Sequence, residues 1–212
     1  MKITEHLKVL THFAIRLTGE TVVYCDPFHI REAPRDGKLI LITHEHFDHL
    51  SPEDIDKVAA PEALYVIPKS CREAALSAGL NPDKIVTMEP GEEKKFGRIS
   101  VKAVPAYNIN KDFHRRERGW LGYVVTMNGL RYYLAGDTDD TPDAREVTCD
   151  VAVVPVGGTY TMTAREAAAL VNAIRPGAAV PAHYGDIVGS RADAEEFCSL
   201  LEAGIECDFC RE

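Results

Sequence analysis

The sequence lacks the long apolar runs and the basic excess that would assign it to several common classes of protein. None of its apolar stretches approaches the roughly 18 residues needed to span a bilayer, so we expect no membrane partner. With 24 basic and 33 acidic residues the net charge is −9, which argues against nucleic acid as a partner. No Gly-x-Gly-x-x-Gly or other phosphate-cradling loop follows a predicted strand.

The six cysteines are few and scattered. Residues 1–6 lack the apolar stretch of a signal peptide, which predicts a cytoplasmic protein whose cysteines are all reduced thiols. Cys207 and Cys210 form a lone Cys-x-x-Cys pair, with no second pair to complete a zinc site. This pair is either a redox or metal-binding element or two small residues in a last strand, and we favour the second interpretation.

What the sequence contains is typical of a globular protein, with 45% hydrophobic and 27% charged residues. Its 212 residues include no Pro/Ser-rich linker, charge block or internal repeat, which predicts a single domain over 1–212.

Five short apolar runs are each followed at once by residues that can do chemistry. Such β-rich runs bounded by turn residues are typical of strands. Catalytic groups commonly lie on loops held by a rigid sheet, so we expect these strand ends to converge on one site. The runs lead into His44, Asn108, Asp137, the turn 157–159 and His183.

Helix signals alternate with these strands. Pro52 after Ser51 predicts one helix start, Ser70 with Glu73 a second, and Thr163 with Glu166 a capping box for a third. A last helix is predicted between 190 and 204, and residues 9–27 are typical of a β-hairpin with strands at 13–17 and 21–24. The alternation indicates a mixed α/β sandwich rather than a parallel doubly wound sheet.

The stretch 43–50, THEHFDHL, places three imidazoles and a free carboxylate in six consecutive positions. Turns favour Gly, Asn, Asp and Ser, so a solvated turn has no use for three of the eight histidines. Imidazole and carboxylate together suit zinc, manganese or iron, and the crowding predicts two ions.

The order His44-x-His46-x-Asp48-His49, then Gly136-Asp137, then a late His183, resembles the metallo-β-lactamase superfamily. The similarity runs over nearly the whole chain, and within the superfamily it is greatest to the small hydrolases related to ascorbate-6-phosphate lactonase. The resemblance implies a four-layer αββα sandwich with mixed sheets and flanking helices. It also implies two divalent metal ions, zinc or alternatively manganese, at one edge of the sheets.

The superfamily pattern implies a role for each ligand. One metal is bound by His44 and His46, the second by Asp48, His49 and His183, and Asp137 bridges the two. A bridging carboxylate can hold two cations roughly 3.5–4 Å apart, and two metals lower the pKa of a shared water toward neutrality. Asp48 would also orient the resulting hydroxide and carry its proton to the leaving group.

One position departs from this pattern. The superfamily usually has a histidine after the strand that ends at residue 106, and this sequence has Asn108. An amide oxygen is a much weaker zinc ligand than imidazole. Either Asn108 binds weakly, or water completes the first site, or His114 reaches in from the next loop; otherwise Asn108 is a turn residue and the first site is half-formed.

Other candidates each have a functional and a structural interpretation. Tyr184 could donate to a leaving group or polarise a carbonyl, or pack in the core. Thr159, after two glycines, could help to bind an oxyanion or belong to a tight turn. Arg115 and Arg116 could bind a substrate phosphate or carboxylate, or be solvated. His12 could support the site or simply be packed or exposed.

These observations favour a metal-dependent hydrolase acting on an ester, lactone or phosphoester of a small, anionic metabolite. One alternative is a di-iron oxidoreductase on the same scaffold, although such relatives typically carry Glu where this chain has His46 and need a flavin domain. Another alternative is a non-catalytic metal-binding protein. The sequence does not decide the oligomeric state, and a homo-oligomer is compatible with it.

Overall fold

The computed structural model describes residues 2–211, in which thirteen strands form two mixed sheets. The first sheet holds six strands in sequential order: β1 (Leu7–Thr11), β2 (Ala14–Leu17), β3 (Val22–Cys25), β4 (Gly37–Leu41), β5 (Ala59–Pro68) and β6 (Ile85–Met88). The second sheet runs β13-β12-β11-β10-β9-β8-β7, with bounds β7 (Glu93–Phe96), β8 (Ile99–Pro105), β9 (Leu121–Met127), β10 (Leu130–Leu134), β11 (Val151–Pro155), β12 (Ala178–Ala182) and β13 (Glu206–Cys207).

Three apolar layers hold the sheets and helices together. The central layer is built from the inner faces of both sheets, with Ile15 and Leu41 from the first and Tyr123 and Val153 from the second. The outer face of the first sheet is covered by α1 (Pro52–Val58) and α2 (Arg72–Ser77). The outer face of the second sheet packs against α3 (Pro142–Arg145), α4 (Ala164–Ile174) and α5 (Arg191–Ser199). The predicted αββα sandwich is confirmed.

Strand direction brings distant loops to one edge. In the first sheet β3 and β4 are parallel, and in the second β10, β11 and β12 are parallel. Because β2 is antiparallel to both its neighbours, the β1–β2 turn opens at the same edge as the end of β3. The loops after β4, β8, β10 and β12 therefore meet there, as the sequence predicts.

Three of the four predicted helix starts agree with the structure. Ser51, Thr163 and Ser190 are the N-cap residues of α1, α4 and α5, and Thr163 and Glu166 form the predicted capping box. The prediction for Ser70 is wrong, because a 3-10 turn over Lys69–Cys71 winds directly into α2 and makes Cys71 its N-cap.

The expectation that all cysteines are reduced is also wrong for one pair. Cys198 at the end of α5 and Cys207 in β13 form a disulfide, with a Cα–Cα distance of 5.5 Å. The helix–turn–strand connection between them brings their Cα atoms within the range that a disulfide requires. Cys210 remains a free thiol, so the Cys-x-x-Cys pair is not bonded to itself. No helix in the range 2–211 is long and apolar enough to cross a membrane.

Asp54 of α1 holds the segment after β3 against the helix. Its carboxylate accepts hydrogen bonds from the backbone amides of His29 and Ile30, both at 2.9 Å, and from Lys57 Nζ at 3.0 Å. Burial raises the pKa of Asp54, but the hydrogen bonds from Lys57, Ser51 and the two amides outweigh it, so the pKa lies below its usual 3.8.

Replacing Asp54 with alanine is expected to lower the free energy of unfolding at pH 7 by about 1–3 kcal/mol, because two backbone amides lose their acceptor. Since the folded pKa is depressed, this stabilisation is present above the unfolded value of 3.8 and is lost as pH falls through the folded pKa. Urea unfolding should therefore show a smaller difference between wild type and variant at pH 3 than at pH 7. The exposed Asp56→Ala is the control on the same helix; a difference unchanged at pH 3 would contradict the argument.

Candidate metal centre

Eight histidine and aspartate side chains, of the types that can bind metal, meet at the sheet edge described above, all of them buried except the half-buried His46. They come from five separate segments of the chain. These are His12 in the β1–β2 turn, His44, His46, Asp48 and His49 after β4, His114 after β8, Asp137 after β10, and His183 after β12.

Asp137 lies at the centre of this group. Its Oδ2 atom is 3.1 Å from Nε2 of His114 and 4.0 Å from Nε2 of His44. Its Oδ1 atom is 3.2 Å from Nε2 of His183 and 3.4 Å from Nε2 of His49. Each carboxylate oxygen thus faces a different pair of imidazoles, which is the arrangement that a bridging ligand requires.

A buried carboxylate behind the cluster orients two of the histidines. Asp26 Oδ2 lies 2.8 Å from Nδ1 of His49 and accepts a hydrogen bond from the Thr43 hydroxyl at 2.6 Å. With its proton directed to Asp26, the Thr43 oxygen can accept from Nδ1 of His44, 3.0 Å away. Both imidazoles then carry their proton on Nδ1 and present an unprotonated Nε2 to the centre, as metal-binding histidines require.

His12 takes part in the same way from the other side. Its Nε2 lies 3.2 Å from Asp48 Oδ2, and its ring centroid is 3.7 Å from that of His183. Its backbone carbonyl accepts a hydrogen bond from the amide of His183 at 2.8 Å. His12 therefore supports Asp48 and His183 together, which favours the functional interpretation over mere packing.

The electrostatics of the cluster follow from burial and proximity. Burial would raise the pKa of Asp137, yet the imidazoles of His183 and His49 lower it far below its usual value. Burial lowers the pKa of His44, so this imidazole stays neutral. Burial likewise opposes protonation of His49, but the carboxylates of Asp137 and Asp26 raise its pKa. Bound metal ions would take the place of the imidazole protons and balance the negative charge of these carboxylates.

Many nitrogen and oxygen atoms of this centre have no hydrogen-bond partner within residues 2–211 and are free to bind a metal ion. All of them are buried, and unpaired buried polar atoms are costly. They are His12 Nδ1, His49 Nε2, His114 Nε2, Asp137 Oδ1 and both ring nitrogens of His183. Imidazole and carboxylate donors suit divalent zinc or manganese. The residues present therefore fit such ions.

In the segment after β8, His114 and Asn108 lie against each other beside the cluster. His114 is buried and joins His44 and His46 in a group whose ligand atoms lie within 4.8 Å of one another. The Asn108 amide contacts Nδ1 of His114 at 3.3 Å and donates to the Tyr160 carbonyl at 2.7 Å. The backbone amide of Asn108 also donates to the His114 carbonyl at 2.8 Å. Asn108 thus braces His114, which reaches in from the loop.

Trp120 forms the wall behind the first histidines. Its ring centroid is 4.6 Å from that of His44 and 4.8 Å from that of His46. The indole Nε1 donates to Glu45 Oε2 at 2.6 Å, and the Cys71 thiol donates to the same oxygen at 2.8 Å. Glu45, which lies between His44 and His46 in the sequence, therefore holds the indole in place by accepting its hydrogen bond.

Backbone strain is concentrated at this centre. Nine non-glycine residues in the range 2–211 have positive φ, and four of them belong to the cluster or its support. These are His12 at 39°, Asp26 at 47°, His114 at 54° and His183 at 56°. Such conformations are unfavourable for residues with a Cβ and are found preferentially at functional sites.

Two other predicted candidates, Tyr184 and Thr159, lie outside the cluster. Tyr184 packs with Phe197 in the layer under α5, and the Arg211 guanidinium lies 3.8 Å from its ring centroid. These contacts favour the packing interpretation of Tyr184, and a role for it on the leaving group stays a prediction. Thr159 is exposed, and its amide donates to the Gly157 carbonyl at 3.0 Å, which favours the tight turn.

Gly157 explains why that turn is rich in glycine. A Cβ at this position would lie 2.4 Å from the carbonyl oxygen of His183. Only glycine allows the backbone after β11 to approach the loop that carries His183 so closely.

Arg115 is exposed and forms an ion pair with Asp112 at 3.1 Å. Together with Arg118 it lines a cavity of about 320 Å³ that is also bounded by His46, His114 and Trp120. Arg116 instead lies over the Tyr107 ring, 4.9 Å from its centroid, and contacts Asp143. Arg118 belongs to the basic stretch 111–118 that the sequence offers as an anion-binding candidate, but no local pattern distinguishes it from its basic neighbours.

The fold and the centre define a metal-dependent hydrolase of αββα architecture. A family profile described as a β-lactamase superfamily domain matches residues 7–183. The chain belongs to this superfamily, and within it to the UPF0173 metal-dependent hydrolases.

Three similar proteins illustrate the relationship. A UPF0173 protein of Pyrococcus furiosus is 37% identical over 86% of this chain and 83% of its own length. A UPF0173 metal-dependent hydrolase of the same organism is 31% identical, covering 91% and 90% of the two chains. The crystal structure of a protein from Parabacteroides distasonis, described as a metal-dependent hydrolase, superposes with a TM-score of 0.80 at 28% identity, covering 95% and 90%.

Proposed function

We propose that this hydrolase uses two divalent metal ions, zinc or manganese, held by His44, His46 and His114 on one side and by Asp48, His49 and His183 on the other, with Asp137 shared between them. The observation that carries the proposal is the grouping of the ligand atoms within 4.8 Å of one another. One group is His44, His46 and His114, a second is Asp48, His49 and His183 together with His12, and a third links His44 and His49 to Asp137. The position of Asp137 between the first two groups supports its bridging role.

Two bound ions would supply a water activated at neutral pH and a Lewis acid for the scissile carbonyl or phosphoryl oxygen. The chain itself supplies orientation. Asp26 and Thr43 hold His44 and His49 in the tautomer that binds metal, and His12 positions Asp48. Burial raises the pKa of Asp48, but the hydrogen bond with His12 and the nearby imidazoles of His183 and His49 outweigh it and lower the pKa far below its usual value. A carboxylate held ionised in this way suits a ligand, and its role as proton carrier stays a prediction.

The substrate is proposed to be an ester, lactone or phosphoester of a small metabolite that carries an anionic group. Arg115 and Arg118 support this proposal, because both line the cavity beside His46 and His114. Arg guanidinium groups bind planar anions such as carboxylates well. The pairing of Arg115 with Asp112 leaves Arg118 as the better candidate for this contact.

Replacing Arg118 with glutamine is expected to raise KM for an anionic ester by about threefold to tenfold, a range that reflects the exposure of the site. The KM for a neutral ester of the same size should stay unchanged. Arg116→Gln is the matched control, because the Arg116 guanidinium lies over the Tyr107 ring and donates to Asp143 instead of lining this cavity. Steady-state kinetics on both esters checks the prediction, and equal effects on the two substrates would contradict it.

The proposed function is tested by elemental analysis of protein purified without chelators, followed by assays with lactones, carboxylic esters and phosphoesters. We expect two equivalents of zinc or manganese per chain, and hydrolysis that is lost on treatment with a chelator and restored by metal. Two equivalents of iron with redox activity would indicate a di-iron oxidoreductase instead. Protein that holds metal but hydrolyses none of the three substrate classes would contradict the proposal.

A further inference from the structure

Four large apolar side chains are exposed in the range 2–211, and all four lie on loops that carry the metal centre. They form what we term the apolar rim: Phe47 is 69% exposed, Ile109 61%, Phe113 48% and Ile187 40%. Single exposed apolar residues are common on protein surfaces, but their restriction to one edge is not.

The positions of these residues are set by their neighbours in sequence. Phe47 lies between the ligands His46 and Asp48, and Phe113 directly precedes His114. Ile109 directly follows Asn108, and Ile187 is in the loop that follows His183. Every loop that presents a rim residue therefore also presents a metal ligand or its support.

Contacts with the body of the protein hold the rim in its exposed position. The Phe47 ring meets Phe28 edge-on with centroids 5.9 Å apart, and Phe28 in turn meets His12 at 6.0 Å. Phe113 meets Tyr160 edge-on at 4.9 Å. The backbone amide of Ile109 donates to the buried Asp139 at 2.9 Å, which anchors the chain and leaves the side chain outside.

The rim also borders the cavity that contains the arginines. Phe113 lines that cavity together with Arg118, whose guanidinium lies 5.8 Å from the Trp120 ring centroid. Apolar side chains around a few convergent polar groups are typical of small-molecule sites, where the apolar part binds and the polar part orients. A substrate with only charged and hydroxyl groups would gain nothing from these four side chains.

We propose that the apolar rim binds an alkyl or aryl group of the substrate, so that the hydrolysed molecule is amphipathic rather than a purely polar metabolite. This inference rests on the proposed function, because it assigns a substrate class to the same site. Water leaves the exposed faces of Phe47 and Phe113 when the group binds, and this is the source of the affinity.

The test measures the binding of n-alkyl hydroxamates of two to eight carbons to the zinc-loaded protein by isothermal titration calorimetry. The hydroxamate provides a metal-binding head, and the chain length probes the rim. Affinity should rise by about twofold to fourfold per methylene, fourfold being the value for complete burial of the group. Phe113→Ser and Ile187→Ser should flatten this dependence, and Phe113→Leu should retain most of it. Zinc content is measured for every variant.

Each outcome bears on one of the two proposals. If short and long hydroxamates bind the zinc-loaded wild type equally well, the rim proposal is overturned and the proposed function stands. If zinc-loaded protein binds no hydroxamate, the proposed function itself fails. If the wild type sediments as a dimer that Phe113→Ser dissociates, the rim is an interface between copies of the chain, and the substrate proposal is overturned.

Discussion

Asp137→Ala is expected to release both metal ions and to reduce kcat/KM by far more than about 100-fold. Mutating a residue that only hydrogen-bonds to a metal ligand costs up to about 100-fold in activity, and loss of a ligand itself should cost more. Asp137 is buried at the centre of the cluster, and its two oxygens face imidazoles of both proposed metal sites. Without it, two cations would repel each other with no shared carboxylate between them. No other residue presents a carboxylate to His114 and His183 at once within residues 2–211.

Elemental analysis of the purified variant is the decisive measurement, because it does not depend on knowing the substrate. Asp143→Ala is the matched control, because the Asp143 carboxylate accepts hydrogen bonds from Tyr107 and Arg116 and, among residues 2–211, forms no hydrogen bond or ion pair with the cluster of histidines. This control should keep its full metal content. Circular dichroism establishes that both variants are folded. An Asp137→Ala protein that retained two equivalents would rule out the bridging role.

His114→Ala is expected to halve the metal content to one equivalent, whereas Asn108→Ala should keep two at saturating metal. We expect this because His114 is the proposed ligand, with its Nε2 3.1 Å from Asp137 Oδ2, and the Asn108 amide contacts the other ring nitrogen of His114. Loss of a brace weakens metal binding by about 10- to 100-fold without removing a donor. The two variants therefore distinguish loss of a metal ligand, in His114→Ala, from weaker binding by a ligand that is still present, in Asn108→Ala.

The single tryptophan provides a local readout for this comparison. Trp120 packs against His44, His46 and His114, so Co²⁺ bound by these histidines should quench its fluorescence. Titration of the metal-free wild type should show quenching that His114→Ala abolishes. In Asn108→Ala the same quenching should require a higher Co²⁺ concentration. If Asn108→Ala lost the quenching and His114→Ala kept it, the two roles would be reversed.

Much of the centre could be predicted because its pattern is local. The cluster His44, His46, Asp48 and His49 is contiguous, and three further apolar runs end at Asn108, Asp137 and His183. Helix starts with strong capping signals, such as Thr163 with Glu166, were also predicted correctly. Ser70 was not, because the chain continues from a 3-10 turn into α2 without a break that a cap would mark.

Other features depend on pairing between distant segments. His12 is an isolated histidine in the sequence, and it reaches Asp48, 36 residues away, because the β1–β2 turn opens at the same edge as the end of β4. The choice between Asn108 and His114 depended on the path of an irregular loop, which Asp139 anchors through Ile109 and Lys111. The apolar rim could not be predicted either, because solvent exposure is a property of the folded chain.

The sequence by itself therefore determined the kind of chemistry, because imidazole and carboxylate ligands in a contiguous motif specify a metal site whatever surrounds them. It also determined the fold class, since alternating short strands and capped helices are local patterns. Only the tertiary structure decided which imidazoles meet Asp137, that His12 supports Asp48, and that Tyr184 faces the core. The reason is physical: these contacts are set by how strands from opposite ends of the chain align in two packed sheets, and no short stretch of sequence encodes that alignment.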